Sequence, residues 1–188
     1  LKKMSKFSAK NFSRAVIAGI LIFLGIATYG GAMYLHDKTI VTWWIPAAIS
    51  FLLAGISGLT MWRLWRRLTD SKSFVFNYIC HLALSCGIFL FAIYFFNYTY
   101  AKESTTHTEN VLVDKKFTKI RHHRQRVSRR SYRQGNPYKV YYFDLKFENG
   151  KEKTVSVSSS RYNRTRSGSS IPLTIKTGLF GLPVVYGV

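Results

Sequence analysis

The sequence predicts three transmembrane helices joined to a small all-β domain, either an antiparallel sheet or a partly closed barrel. Three observations carry that expectation. Residues 1–100 hold three long runs free of Asp, Glu, Lys and Arg. Residues 101–188 alternate apolar and polar side chains in short segments between turn signals. Charge divides the same way, with 18 Lys/Arg against 6 acids in the second part. The 188-residue chain carries a net charge of +20, and its mean hydropathy of zero averages two unlike halves. A single soluble globule, a collagenous fibre and a disulfide scaffold are therefore excluded; the chain has only 2 Cys. With 16 % aromatics it is not a wholly disordered chain either.

The runs are Ala15–Leu35, Thr39–Trp62 and Ser73–Ala101, of 21, 24 and 29 residues. About 20 apolar residues cross ~30 Å of hydrocarbon as a helix, so spans are expected at 15–35, 40–62 and 74–100. The first run also resembles a cleaved signal peptide, with lysines before it and the small residues Ala27–Ala32 near its end. Two further spans follow, and it is read as a helix. The link His36-Asp37-Lys38 admits only an antiparallel helical hairpin. Pro46 falls near the end of the second span, where a missing N–H is tolerated.

Lys2, Lys3, Lys6, Lys10 and Arg14 precede the first span, and Arg63, Arg66, Arg67 and Lys72 lie by the second link. The first link has only Lys38. Basic residues favour the cytoplasm, so residues 1–14 form a basic cytoplasmic tail and residues 101–188 are exported. Trp43, Trp44 and Tyr34 are expected at the outer interface, Trp62 and Trp65 at the inner one, and Tyr94, Tyr98 and Tyr100 at the exit of the third span.

Small residues recur four apart: Ala15/Gly19, Ala27/Gly31, Ser50/Ala54/Gly58 and Ala83/Gly87. Such ladders let helix backbones approach closely. Gly19, Gly31, Ala54, Gly58, Ala83 and Gly87 are the expected packing positions of a compact bundle, or of contacts with a partner's helices.

Little suggests catalysis. His81 is the one group of its charge-free run whose ordinary pKa lies near neutrality, without an Asp, Glu, Lys or Arg inside any span to relay protons. A neutral, hydrogen-bonded interfacial histidine is the expected role. Cys80 and Cys86 point to different sides of a helix and form no Cys-x-x-Cys pattern. His122 and His123 sit among arginines that repel a cation, and with His107 they lack carboxylates at ligand spacing. Ser156–Ser160 has no Gly-x-Ser-x-Gly elbow, and no glycine loop cradles phosphate. No cofactor or metal is expected. The triplets Asn97-Tyr98-Thr99 and Asn163-Arg164-Thr165 would accept glycans only in a eukaryotic secretory route, and Asn97 lies too close to the membrane to be reached.

In the exported domain, strands are expected at 110–120, 138–147, 154–159 and around Ile171, Leu173 and Ile175. Residues 178–185 form a last strand or hairpin. A two-residue Asn149-Gly150 loop would send Val155 and Val157 to the wrong face. A three-residue loop, Glu148-Asn149-Gly150, sets Phe143 opposite Val155, Tyr141 opposite Val157 and Lys146 opposite Glu152, with Gly150 left-handed. The three-residue loop is expected.

That hairpin, followed by Tyr162, Gly168, Ile171-x-Leu173-x-Ile175 and Gly178-Leu-Phe-Gly181-Leu-Pro, resembles the tail of an uncharacterised group of small bacterial membrane proteins. The resemblance covers residues 138–186. It implies a few helices joined to a small extracytoplasmic β-domain and no catalytic residue; the bacterial inner membrane is the expected location.

Between the first two strands lies the arginine-rich segment 121–133, a long loop or the tip of an extended hairpin. Arg121, Arg124, Arg126, Arg129, Arg130 and Arg133 occur there without an acid. Clustered charge repels itself unless a counter-charge relieves it, so these six are candidate anion-binding residues; the bland reading is a solvated face. The expected function is that of a non-enzymatic binding or accessory subunit of a cell-envelope assembly. Its partners are the lipid bilayer, an envelope protein or a second copy, and anionic lipid. A membrane-embedded enzyme or transporter component is one alternative. Nucleic-acid binding is another, disfavoured because no recognition motif supports it.

Overall fold

The computed structural model describes residues 9–147 and 150–186, and the side chains from residue 12 onward. Lys2, Lys3, Lys6, Glu148 and Asn149 lie outside the described residues. The chain divides into two compact units, residues 1–101 with 178–182, and residues 102–177 with 183–188.

The first unit holds α1 (Ala9–His36), α2 (Trp44–Thr69) and α3 (Phe74–Thr99). All three are long and apolar enough to cross a membrane; at 26 residues α2 and α3 each reach about 39 Å. Their ends have local causes. Ser73 caps α3 by accepting from the Phe76 N–H at 3.3 Å. Asp70 closes α2 in the left-handed region at φ 60°, its N–H donating to the Arg66 carbonyl, and its carboxylate meets Arg14 at 3.3 Å. Asn77, fully buried, donates to the Ser71 and Ser73 carbonyls and accepts from Thr69, which ties the α2–α3 link together.

The helices do not form the compact bundle expected from the small-residue ladders. α3 packs along both other helices, while α1 and α2 scarcely touch. The glycines explain why. A Cβ at Gly31 would come within 2.6 Å of the Phe91 ring, at Gly58 within 2.6 Å of Tyr78, and at Gly87 within 2.7 Å of Tyr29. Gly31, Gly58 and Gly87 are sockets for aromatic rings between α3 and its neighbours. Tyr29 and Tyr78 add hydroxyl bonds to the Ala83 and Gly55 carbonyls, at 2.9 and 3.0 Å.

The second unit is one open antiparallel sheet in the order β3-β2-β1-β4-β5, not closed into a barrel. Its strands are β1 (His107–Arg126), β2 (Tyr132–Lys146), β3 (Glu152–Val157), β4 (Ser170–Thr177) and β5 (Pro183–Tyr186), with a short helix α4 (Ser159–Arg164) after β3. No helix was expected here. Ser158, whose hydroxyl accepts from the Arg161 N–H, starts it within the expected third strand. The register of β2 and β3 follows the three-residue loop: Phe143 pairs with Val155, Tyr141 with Val157 and Lys146 with Glu152, and Gly150 has φ 75°. One face of the sheet buries Val111, Val113, Phe143, Leu145, Ile171 and Leu173. Tyr162 of α4 lies over Phe143 and Tyr141 with ring centres 5.8 and 4.8 Å away.

Candidate functional site

The arginine segment is the tip of an extended hairpin, not a loop. β4 pairs with β1 only as far as Leu112, and β3 with β2 only from Tyr141 onward. Beyond Thr118 and Tyr141, β1 and β2 therefore pair with each other alone. Eight residues of strand at ~3.3 Å each give a two-stranded arm of roughly 25 Å. Lys119, Arg121, Arg124, Arg126, Arg129, Arg130, Arg133 and Lys139 lie on it without an acid. Every residue from 121 to 134 is exposed.

The six arginines do not share one surface. Residues paired across two strands share a face, and side chains alternate along each strand. Arg121 lies on the face of Phe117, Lys119 and Tyr142, and Arg133, paired with Gln125, falls on the same face. Arg124 and Arg126 take the other face, and Arg129 and Arg130 are in the turn. A register shift between His122 and Arg124 places an extra residue in β2. Gly135 fits there because a Cβ would come within 3.0 Å of the His123 carbonyl.

Two of the six guanidinium groups are engaged within the arm. Arg121 donates to the Tyr142 hydroxyl at 3.2 Å. Arg126 donates to the Ser128 and Arg129 carbonyls at 3.2 and 3.4 Å, bracing the turn. Among the described residues, the guanidinium groups of Arg124, Arg129, Arg130 and Arg133 make no hydrogen bond. Two like charges ~7 Å apart repel by about 0.6 kcal/mol in water, so the arm carries a standing repulsion that an oxyanion surface relieves. Cross-strand rings hold the arm, Phe117 on Tyr142 at its base at 5.3 Å and His123 on Tyr138 further along at 4.4 Å. Such pairs contribute roughly 0.2–1 kcal/mol each.

The second candidate, His81, is 6 % exposed and joins α2 to α3. Trp65 donates to its Nδ1 at 3.0 Å, and an indole N–H cannot accept. The ring proton therefore sits on Nε2, facing Ser57 Oγ at 2.9 Å and Ser85 Oγ at 3.1 Å. Ser57 passes its own proton to the Ala54 carbonyl at 3.1 Å. Through Trp65 and Ser57 the imidazole ties α2 to α3, a clasp between the two helices. Trp65, expected at the interface, is turned inward by this bond. Tyr94 is likewise 2 % exposed and hydrogen-bonded to His36 at 2.9 Å.

Because α1 and α2 diverge, a cleft of about 460 Å³ opens between them over α3, lined by residues including Leu21, Gly25, Tyr29, Trp65 and Leu84. A neighbouring cleft of about 380 Å³ reaches His81 and Ser85. Both have mainly hydrocarbon walls. Among the described residues no three His, Cys, Asp or Glu come together as a metal site, and Cys80 and Cys86 are free thiols.

Of the small residues singled out, Gly31, Gly58, Ala83 and Gly87 lie in the helix contacts described above, and Ala54 is fully buried on α2. Gly19 faces open space. Sequence reasoning passed over Asn77 and weighed Asn97 only as a glycan triplet, yet both are fully buried. An uncharged amide within an apolar run is the signal that could have found them, since it must meet polar partners there. No protein-family model, curated protein or solved structure matches the chain.

Proposed function

We propose that the protein is a non-enzymatic, membrane-anchored binding protein, an accessory subunit of a cell-envelope assembly, whose cationic arm contacts an anionic surface. The single observation that carries this reading is the unshielded arm, with eight Lys and Arg and no acid on strands paired only with each other. Arginine suits the role because its planar fork binds phosphate or carboxylate through two parallel hydrogen bonds. Near an anionic surface each basic residue contributes on the order of 1 kcal/mol, less as salt rises. The excess of Lys and Arg around the start of α1 and the end of α2 supports a cytoplasmic N-terminus in a bacterial inner membrane, with the arm outside. The alternative of a membrane-embedded enzyme or transporter component calls for paired acids or histidines at membrane depth, and His81 lies in a run without Asp, Glu, Lys or Arg.

The test uses the full chain in nanodiscs of zwitterionic lipid. Arg124, Arg129, Arg130 and Arg133 are replaced by Gln, which leaves the turn-bracing Arg126 in place. Wild type is expected to capture phosphatidylglycerol vesicles or poly-glutamate at low salt, and the variant to lose that capture. Preference between the two probes separates lipid phosphate from protein carboxylate as the anion. Equal capture by variant and wild type would contradict the reading.

A second reading rests on the face holding Phe117, Tyr138 and Tyr142 beside Lys119 and Arg121. Rings interleaved with cations also suit single-stranded nucleic acid. Capture of an oligonucleotide in preference to both other probes would favour it.

A further inference from the structure

We infer that the turn 178–182 is a membrane-interface anchor, clamped by Asn97 to the last turn of α3 and presenting Leu179 and Phe180 to the headgroup–acyl boundary. Residues 178–182 belong to the helical unit. Asn97 is fully buried and both ends of its amide are used. Nδ2 donates to the Leu182 carbonyl at 3.1 Å, and Oδ1 accepts from the Phe180 N–H at 3.0 Å. The turn closes on itself through Gly178 N–H to Leu182 O and Gly181 N–H to Gly178 O, both 3.0 Å. Gly181 supplies φ 74°, in the left-handed region glycine adopts at no cost. Gly178 is required for a different reason, since a Cβ there would collide with the Asn97 amide.

The occupant follows from where Asn97 sits. It lies two residues before the end of α3 at Thr99, so at 1.5 Å per residue the clamp is ~3 Å from the point where the helix ends. Leu179 and Phe180 are 50 % and 54 % exposed, a pair of large apolar side chains with no charged residue in the turn. At the same end of the helices Trp43, Trp44, Tyr34 and Tyr100 are all more than half exposed. Aromatic side chains at the ends of spanning helices settle at the headgroup level. The turn extends that girdle with residues from a distant part of the chain, and the covering medium is the bilayer that α3 crosses.

The test is spin-label accessibility on the full chain in phosphatidylcholine/phosphatidylglycerol vesicles, with Cys80 and Cys86 replaced by Ser. Labels are placed through Phe180→Cys, through Phe51→Cys on the exposed side of α2, and through Ser160→Cys on α4. The label at 180 is expected to collide with oxygen several-fold more, relative to a water-soluble nickel chelate, than the label at 160. Its value should approach that at 51. Asn97→Ala, and independently Gly178→Ala, should shift the label at 180 toward aqueous values and leave 51 unchanged. Aqueous values at 180 in the parent would overturn the inference. So would low accessibility to both reagents, which would mean that a protein surface covers the turn. Unchanged depth in both clamp variants would overturn the role of Asn97.

Discussion

The indole N–H of Trp65 on α2 points at Nδ1 of His81 on α3 across 3.0 Å, and that bond sets the histidine's tautomer. The 15N shifts of the imidazole should report a proton on Nε2 and a bare Nδ1. A proton on Nδ1 would contradict the clasp. Trp65→Phe leaves a buried acceptor unpaired and should destabilise the helical unit by roughly 1–3 kcal/mol, measured by unfolding in detergent.

The aromatic sockets make a graded prediction. Gly87→Leu drives a side chain into the Tyr29 ring, and overpacking of this kind costs roughly 1–3 kcal/mol. Gly19→Leu meets nothing within 4 Å of the new Cβ and should be neutral or slightly stabilising. Equal losses at the two sites, by the same unfolding assay, would contradict the socket account.

Lys38, between the first two helices, lies 4.6 Å from the Tyr34 ring centre and 5.4 Å from that of Tyr98. The bond to Tyr34 chiefly raises its pKa above the ordinary 10.5, against a smaller effect of burial. A raised folded-state pKa means the stabilisation is complete below 10.5 and is lost as pH rises through the folded value. Lys38→Met should therefore lower the melting temperature at neutral pH, and the difference from wild type should shrink only at strongly alkaline pH. A constant difference through that range would sever stability from the ammonium charge.

These outcomes mark what was legible in the sequence. Spans show in uninterrupted apolar length, and the β2–β3 register shows because only one loop length puts Val155 and Val157 with Phe143. The divergence of α1 and α2 was hidden, since spacing reveals small residues but not whether a ring or a backbone fills the gap. The inward hydrogen bonds of Trp65 and Tyr94 were hidden for a similar reason: a ring that meets headgroups and a ring that bonds a neighbouring helix have the same letter. The placement of Arg133 on the face of Arg121 depends on a β2 irregularity near Gly135 that alternation alone does not disclose. The register also carried β1 to Arg126 and β2 back to Tyr132, past the expected strand ends, because charge lowers strand propensity without preventing pairing.

Orientation is tested by single cysteines at Ser128 in the arm and Lys72 after α2, in a chain lacking Cys80 and Cys86. An impermeant thiol reagent on intact cells should label position 128 and spare 72. Labelling of 72 alone would reverse the proposed topology.

The most direct test of the account is the salt dependence of binding between nanodisc-embedded protein and phosphatidylglycerol vesicles. Charge-driven association weakens steeply as salt rises, through screening and counterion release. Wild type should show a steep fall in affinity with salt. The chain with Arg124, Arg129, Arg130 and Arg133 replaced by Gln should bind more weakly at low salt and with a clearly shallower slope. Identical affinities and slopes for the two proteins would show that the arm is a solvated surface, and would contradict the proposed function.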